Sequence, residues 1–120
     1  HFRAEGNVGR QSDWQNLTQT HRNMKAIFIS YDQAYNMDLV ELLERHECRG
    51  FTMWSDIAGR GTDNGEPHLG NHAWPTMNNA LLTIVNDEKV QGILNDLKIA
   101  DEETPDLGLR AFVWNIENFY

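Results

Sequence analysis

The chain has 120 residues, 40% of them hydrophobic, with one cysteine and eighteen acidic against ten basic residues. This length suits one domain with a modest core. A formal net charge of −8 with no basic run argues against a nucleic-acid partner, whose phosphates demand concentrated positive charge. A lone Cys48 rules out an intramolecular disulfide framework and fits a reducing, cytoplasmic setting. No stretch approaches the roughly 20 apolar residues of a membrane-spanning helix, so direct membrane insertion is not expected.

Residues 1–23 are polar and show no sustained apolar period. They read as an N-terminal extension, non-native or from an upstream start, ahead of a folded unit at 24–120 that opens on Met24. The competing reading is a docking arm in which Trp14 and Leu17, three apart, share one helical turn.

From Met24 the periods are clear. Lys25 to Tyr31 is a β-branched and aromatic run that predicts a buried strand. Asp32 to Asn36 is turn chemistry, with Asn36 or Asp38 placed to cap the next helix. Leu39, Leu42, Leu43 and His46 fall at i, i+3, i+4 and i+7, the stripe of an amphipathic helix ended by Gly50. Phe51 to Ile57 then alternates as a second strand, with Phe51 and Met53 on one face and Thr52, Trp54 and Asp56 on the other. Residues 58–77 form a long loop carrying Gly59, Gly61, Gly65 and Gly70, and a loop of that length inside a small domain usually serves function.

Asn79 to Val85 is the third strand, followed by Asn86 as a helix cap and a stripe of Val90, Ile93, Leu94 and Leu97. Asp101 to Gly108 reads as an acidic loop, and Leu109 to Ile116 as the last strand. The order β-α-β-β-α-β predicts an α+β, ferredoxin-like sandwich: an antiparallel sheet with two helices on one face. The other face would carry Phe28, Trp54 or Trp114 uncovered, so self-association is expected.

From Met24 to about Ile116 the chain resembles the PII-like family of the nitrogen regulatory protein PII superfamily. Three segments carry the likeness: Gly50-Phe51-Thr52 at the head of the second strand, the glycine spacing of Gly59, Gly61 and Gly65, and Thr104 to Val113 before the last strand. The resemblance implies a homotrimer that binds a small effector in clefts between subunits, without catalysis, and regulates a protein partner such as a membrane transporter or an enzyme. Carried onto this sequence, the ligand-binding residues are Gly59, Arg60, Gly61, Thr62, Asp63, Gly65, Thr104, Gly108 and Arg110. The implied effector is nucleotide-like or another anion.

The chain departs from the nucleotide-binding pattern in charge. Asp63 stands where ATP-binding members place a glutamine, and the loop before the last strand offers one base, Arg110. A triphosphate would meet Asp63, Asp101, Glu102, Glu103 and Asp106, which counts against ordinary ATP binding. The signalling loop is shortened and holds no tyrosine between Gly59 and Met77, so the partners and modification that PII recognises through that loop do not carry over.

A second function class rests on the same loop. Glu66, His68 and His72 offer the oxygen and nitrogen ligands of a divalent transition metal, and in a trimer His46 from a neighbouring subunit could complete such a site. Against it, Gly70, Pro67 and Pro75 disfavour the helix on which an i, i+4 histidine pair chelates well, and loop histidines commonly just hydrogen-bond the loop. An enzyme is not indicated: Ser30 and Ser55 lack a nucleophile motif, and Cys48 reads as a packing residue.

Overall fold

The computed structural model of the protein describes residues 23–59 and 77–120. Within them, β1 (Met24–Asp32) leads through a short 3-10 turn (Gln33–Tyr35) into helix α1 (Asn36–Arg45), then β2 (Thr52–Ile57), β3 (Asn78–Asn86), helix α2 (Asp87–Glu103) and β4 (Arg110–Asn115). The strands form one antiparallel sheet in the order β2-β3-β1-β4. This is the ferredoxin-like α+β arrangement that the element order predicts.

The alternation of β1 explains the layering. Ile27, Ile29 and Tyr31 point to one face and are fully buried. They join Leu81 and Val85 of β3, Leu39, Leu42 and Leu43 of α1, and Ile93 and Leu97 of α2 in a single core. Both helical stripes therefore cover the same side of the sheet, and each fully buried aliphatic side chain contributes about 1.5–3 kcal/mol. Cys48 belongs to this core, and burial pushes its thiol pKa up, as befits a packing residue. His46, just past α1, sits half-buried with Nε2 2.7 Å from Asp96 Oδ2 of α2, so the two helices are also joined by a polar contact.

Several local expectations change. Asn36 is the first residue of α1 and does not cap it; its Oδ1 instead accepts from Tyr31 Oη at 2.6 Å and from Asn79 Nδ2 at 3.0 Å. The capping carboxylate is Asp32, which accepts from the Ala34 N–H ahead of the 3-10 turn. Asn86 occupies the N-cap position of α2 without a side-chain cap bond. Asp101, Glu102 and Glu103 are helical rather than loop, because nothing in Lys98-Ile99-Ala100 breaks the helix before Pro105. The strict alternation expected of β2 ends at Trp54, where the register with β3 slips. Residues 1–22, including Trp14 and Leu17, lie outside the described residues.

Burial raises the Tyr31 phenol to about 12 from its ordinary 10.0, partly offset by the Asn79 side chain. The unfolded chain ionises this tyrosine first, so the folded state keeps its full advantage below about pH 10 and loses it as pH climbs through about 12. Thermal melts across that alkaline window should show a steep fall in Tm, and a Tyr31→Phe variant should show a shallower one. Equal slopes would mean that this phenol does not govern alkaline stability.

Candidate functional site

Gly59 and the group of Thr104, Gly108 and Arg110, all read as ligand contacts, meet the sheet at the same end. Gly59 follows β2 and lies against the start of β3, where an added Cβ would sit 3.0 Å from Asn78 Nδ2. A side chain there would press on a buried amide, so glycine lets the chain pass. Thr104, Gly108 and Arg110 belong to the turn into β4. Gly108 has φ 60, and its neighbour Asp106 has φ 64. Both are left-handed conformations, easy for glycine and tolerated by aspartate.

That turn is held firmly. Leu107 N–H donates to Thr104 O at 3.3 Å, and Asp32 N–H donates to Leu107 O at 2.8 Å. Asp101 Oδ1 accepts from the Leu109 N–H at 3.2 Å, while Leu107 and Leu109 are buried in the core. Asp101, read from sequence as part of a solvated acidic loop, is thus a helical residue that ties the turn down. Arg110 is half-buried, and its Nη1 donates to Leu109 O at 2.9 Å.

Gly59 and Arg110 nevertheless flank opposite edges of the sheet, since β3 and β1 stand between β2 and β4. Three strand spacings separate those edges, roughly 14 Å. Arg60, Gly61, Thr62, Asp63 and Gly65 lie outside the described residues, as do Glu66, His68 and His72. Among the described residues no group of three or more histidine, cysteine or acidic side chains could hold a metal ion.

The face of the sheet away from the helices continues from this site. Pairing sets out cross-strand rows: Trp54, Ala80, Ser30 and Arg110 nearest the loops, then Thr52, Leu82, Phe28 and Phe112, then Ile84, Ala26 and Trp114. Phe28 and Trp54 pack with ring centroids 6.3 Å apart. Phe112 is 57% exposed, Trp114 48%, Trp54 44% and Ile84 41%. An apolar, aromatic surface of this kind on one side of a small sheet is unusual for an isolated chain. The site end of the same face is polar, with buried Asp32 and Asn78 paired across β1 and β3.

Sequence reading missed the part-buried polar group beneath the loop ends: Tyr31, Asn36, Asn79 and the main chain of Asp56, which donates to Asn79 Oδ1 at 3.2 Å. A signal was present. Two consecutive asparagines opening an apolar strand are poor strand formers, and their presence at Asn78-Asn79 implies a local polar task.

No family model and no curated protein matches the chain. Solved structures do. A protein assigned as PII-like signalling from Thermus thermophilus is 27% identical with a TM-score of 0.57, over 78% of this chain and 86% of that one. CPII from Thiomonas intermedia, a nitrogen regulatory PII-like protein bound to ADP, AMP and bicarbonate, is 19% identical with a TM-score of 0.63, over 78% and 91%. A DUF3240 family protein from Shewanella baltica is 14% identical with a TM-score of 0.59, over 82% and 94%. The last two likenesses are likenesses of fold. Together with the Gly50-Phe51-Thr52 and Thr104 to Val113 segments and the sheet order, the 27% likeness makes the chain similar to a PII-like signalling protein.

Proposed function

We propose that the chain is a PII-like regulatory protein that binds a small anionic effector of the ADP or AMP class between subunits of a homotrimer, and so alters its affinity for a protein partner. The observation that carries this reading is the placement of the ligand residues. Gly59 lies at one edge of a sheet end and Gly108 with Arg110 at the other, so one protomer does not close them around one small molecule. Two protomers apposed at those edges would. The aromatic face formed by Phe28, Trp54, Phe112 and Trp114 supplies the apolar area on which copies of the chain could associate.

Charge narrows the ligand. Arg110 is the cation at the β4 turn, and Asp101, Glu102, Glu103 and Asp106 lie around it in sequence. One guanidinium pairs well with one phosphate or carboxylate, which favours mono- and diphosphates over a triphosphate. The ADP and AMP bound by the fold neighbour CPII are a diphosphate and a monophosphate, and the bicarbonate it also binds is a small carboxylate-like anion. The effector would act by differential affinity for two states of the protein, and the regulated partner would be a transporter or an enzyme. A divalent metal held by Glu66, His68 and His72 rests on sequence alone and takes second place.

Millimolar ADP or AMP should raise the Tm of the wild-type protein through preferential binding to the folded assembly. Arg110→Ala should weaken binding by roughly ten- to a hundredfold, the weight of a hydrogen bond to a charged group. An unshifted Tm with both nucleotides would reject the ligand class.

For the assembly, light scattering coupled to gel filtration should give three times the chain mass, and a Phe112→Glu, Trp114→Glu double variant should run as a monomer. A monomeric wild type would remove the inter-subunit site.

A further inference from the structure

The exit of β2 toward the ligand site is irregular for a reason that lies across the sheet. Trp54 pairs with Ala80, and the next pair is Ile57 with Asn78. β2 therefore advances three residues while β3 advances two, so one extra residue is absorbed as a bulge. Asp56, within it, has φ 57, a left-handed conformation that aspartate tolerates. Its N–H donates to the side chain of Asn79, Oδ1 at 3.2 Å. The same Asn79 donates through Nδ2 to Asn36 Oδ1 at 3.0 Å and approaches Met53 Sδ at 3.9 Å. Tyr31 Oη donates to that Asn36 oxygen at 2.6 Å.

A buried asparagine engaged at both ends of its amide cannot turn over without breaking bonds at each. Its carbonyl end is thereby aimed at Asp56, and the bulge is tied to β1 and to the start of α1. The consequence reaches past β2, because a slip of one residue turns every following side chain to the opposite face. With the bulge, Ile57 takes the place opposite Asn78, and Gly59 passes against the Asn78 amide. Without it, Asp56 would face Asn78, and the chain would enter the loop with inverted faces.

The geometry points to Asn79 as a positioning residue for the ligand site: by accepting the Asp56 N–H it holds the one-residue bulge and so sets the face with which the chain enters the site at Gly59. This rests on the reading of that sheet end as an effector site. Asn79 does not touch the ligand in this account. It acts from the core side of the sheet, through the main chain of β2.

Amide hydrogen exchange and ADP calorimetry on four variants test the assignment. In Asn79→Ala the Asp56 amide should exchange about tenfold faster, the weight of one such hydrogen bond, and ADP should bind about tenfold more weakly. Val85→Ala, a core deletion at the other end of β3, lowers stability by cavity formation and should leave ADP affinity within about twofold. Asp56→Gly placed in the Asn79→Ala background should recover most of the affinity, because glycine keeps the left-handed turn unaided. Asp56→Pro breaks the same bond from the exposed donor side and cannot adopt a positive φ, so it should match Asn79→Ala even if the latter folds poorly. Native exchange at Asp56 in Asn79→Ala, or affinity losses no larger than in Val85→Ala, would overturn the assignment. If the wild-type protein takes up no ADP, the effector reading fails, and exchange at Asp56 and Gly59 alone decides whether Asn79 holds the bulge.

Discussion

Two helices cover one face of a four-stranded sheet, and the other face has to find cover elsewhere. This constraint organises the molecule. Tyr31, Ile27 and Ile29 satisfy β1 on the helix side, while Phe28, on the intervening position, leaves its ring against Trp54 beside exposed Phe112 and Trp114. Burying one side of a strand obliges the other to face outward, and here the outward side is as aromatic as a core. The proposed threefold assembly answers that surplus of apolar area.

The same face is graded along the strands. Its far end is apolar, with Ile84 and Trp114, whereas the end nearest the loops adds Ser30, Asp32, Asn78 and Arg110 beside Trp54 and Ala80. The polar end coincides with Gly59 and with the turn at Gly108 and Arg110, both proposed for ligand contact. An interface built on the aromatic end would bring the polar ends of neighbouring copies close together. In the proposed assembly, association and ligand capture would be coupled by the layout of a single sheet surface rather than by separate devices.

Rigidity is distributed unevenly around that end. The turn from Thr104 to Leu109 is pinned by Asp32, by Asp101 and by two buried leucines, and it presents Arg110 from a fixed platform. The β2 side depends on the Tyr31-Asn36-Asn79-Asp56 chain of hydrogen bonds. Buried polar groups are costly unless every member is paired, and no buried side-chain nitrogen or oxygen among the described residues lacks a partner. Such a network confers geometric definition more than net stability, which suits a place where a loop has to leave the sheet in one orientation.

Element order, both helical stripes and the uncovered face were legible in the residues, because periods of two and 3.6 in apolar side chains follow directly from strand and helix geometry. Leu39, Leu42 and Leu43 lie in the core as their spacing requires, and so do Ile93 and Leu97. Gly59 and the run from Thr104 to Arg110, proposed as ligand contacts from the family resemblance, fall at one end of the sheet. Illegible were the roles of Asn36, Asn79 and Asp56. Asn36 looked like a cap, and Asp56 looked like one more alternating strand residue. They meet through distant contacts: Asn79 is 43 residues from Asn36 and 23 from Asp56. Local patterning determined what each segment would become and which side it would bury. Only the packed sheet decided where β2 slips by one residue, because that slip depends on a hydrogen bond between groups that meet only once the strands have paired.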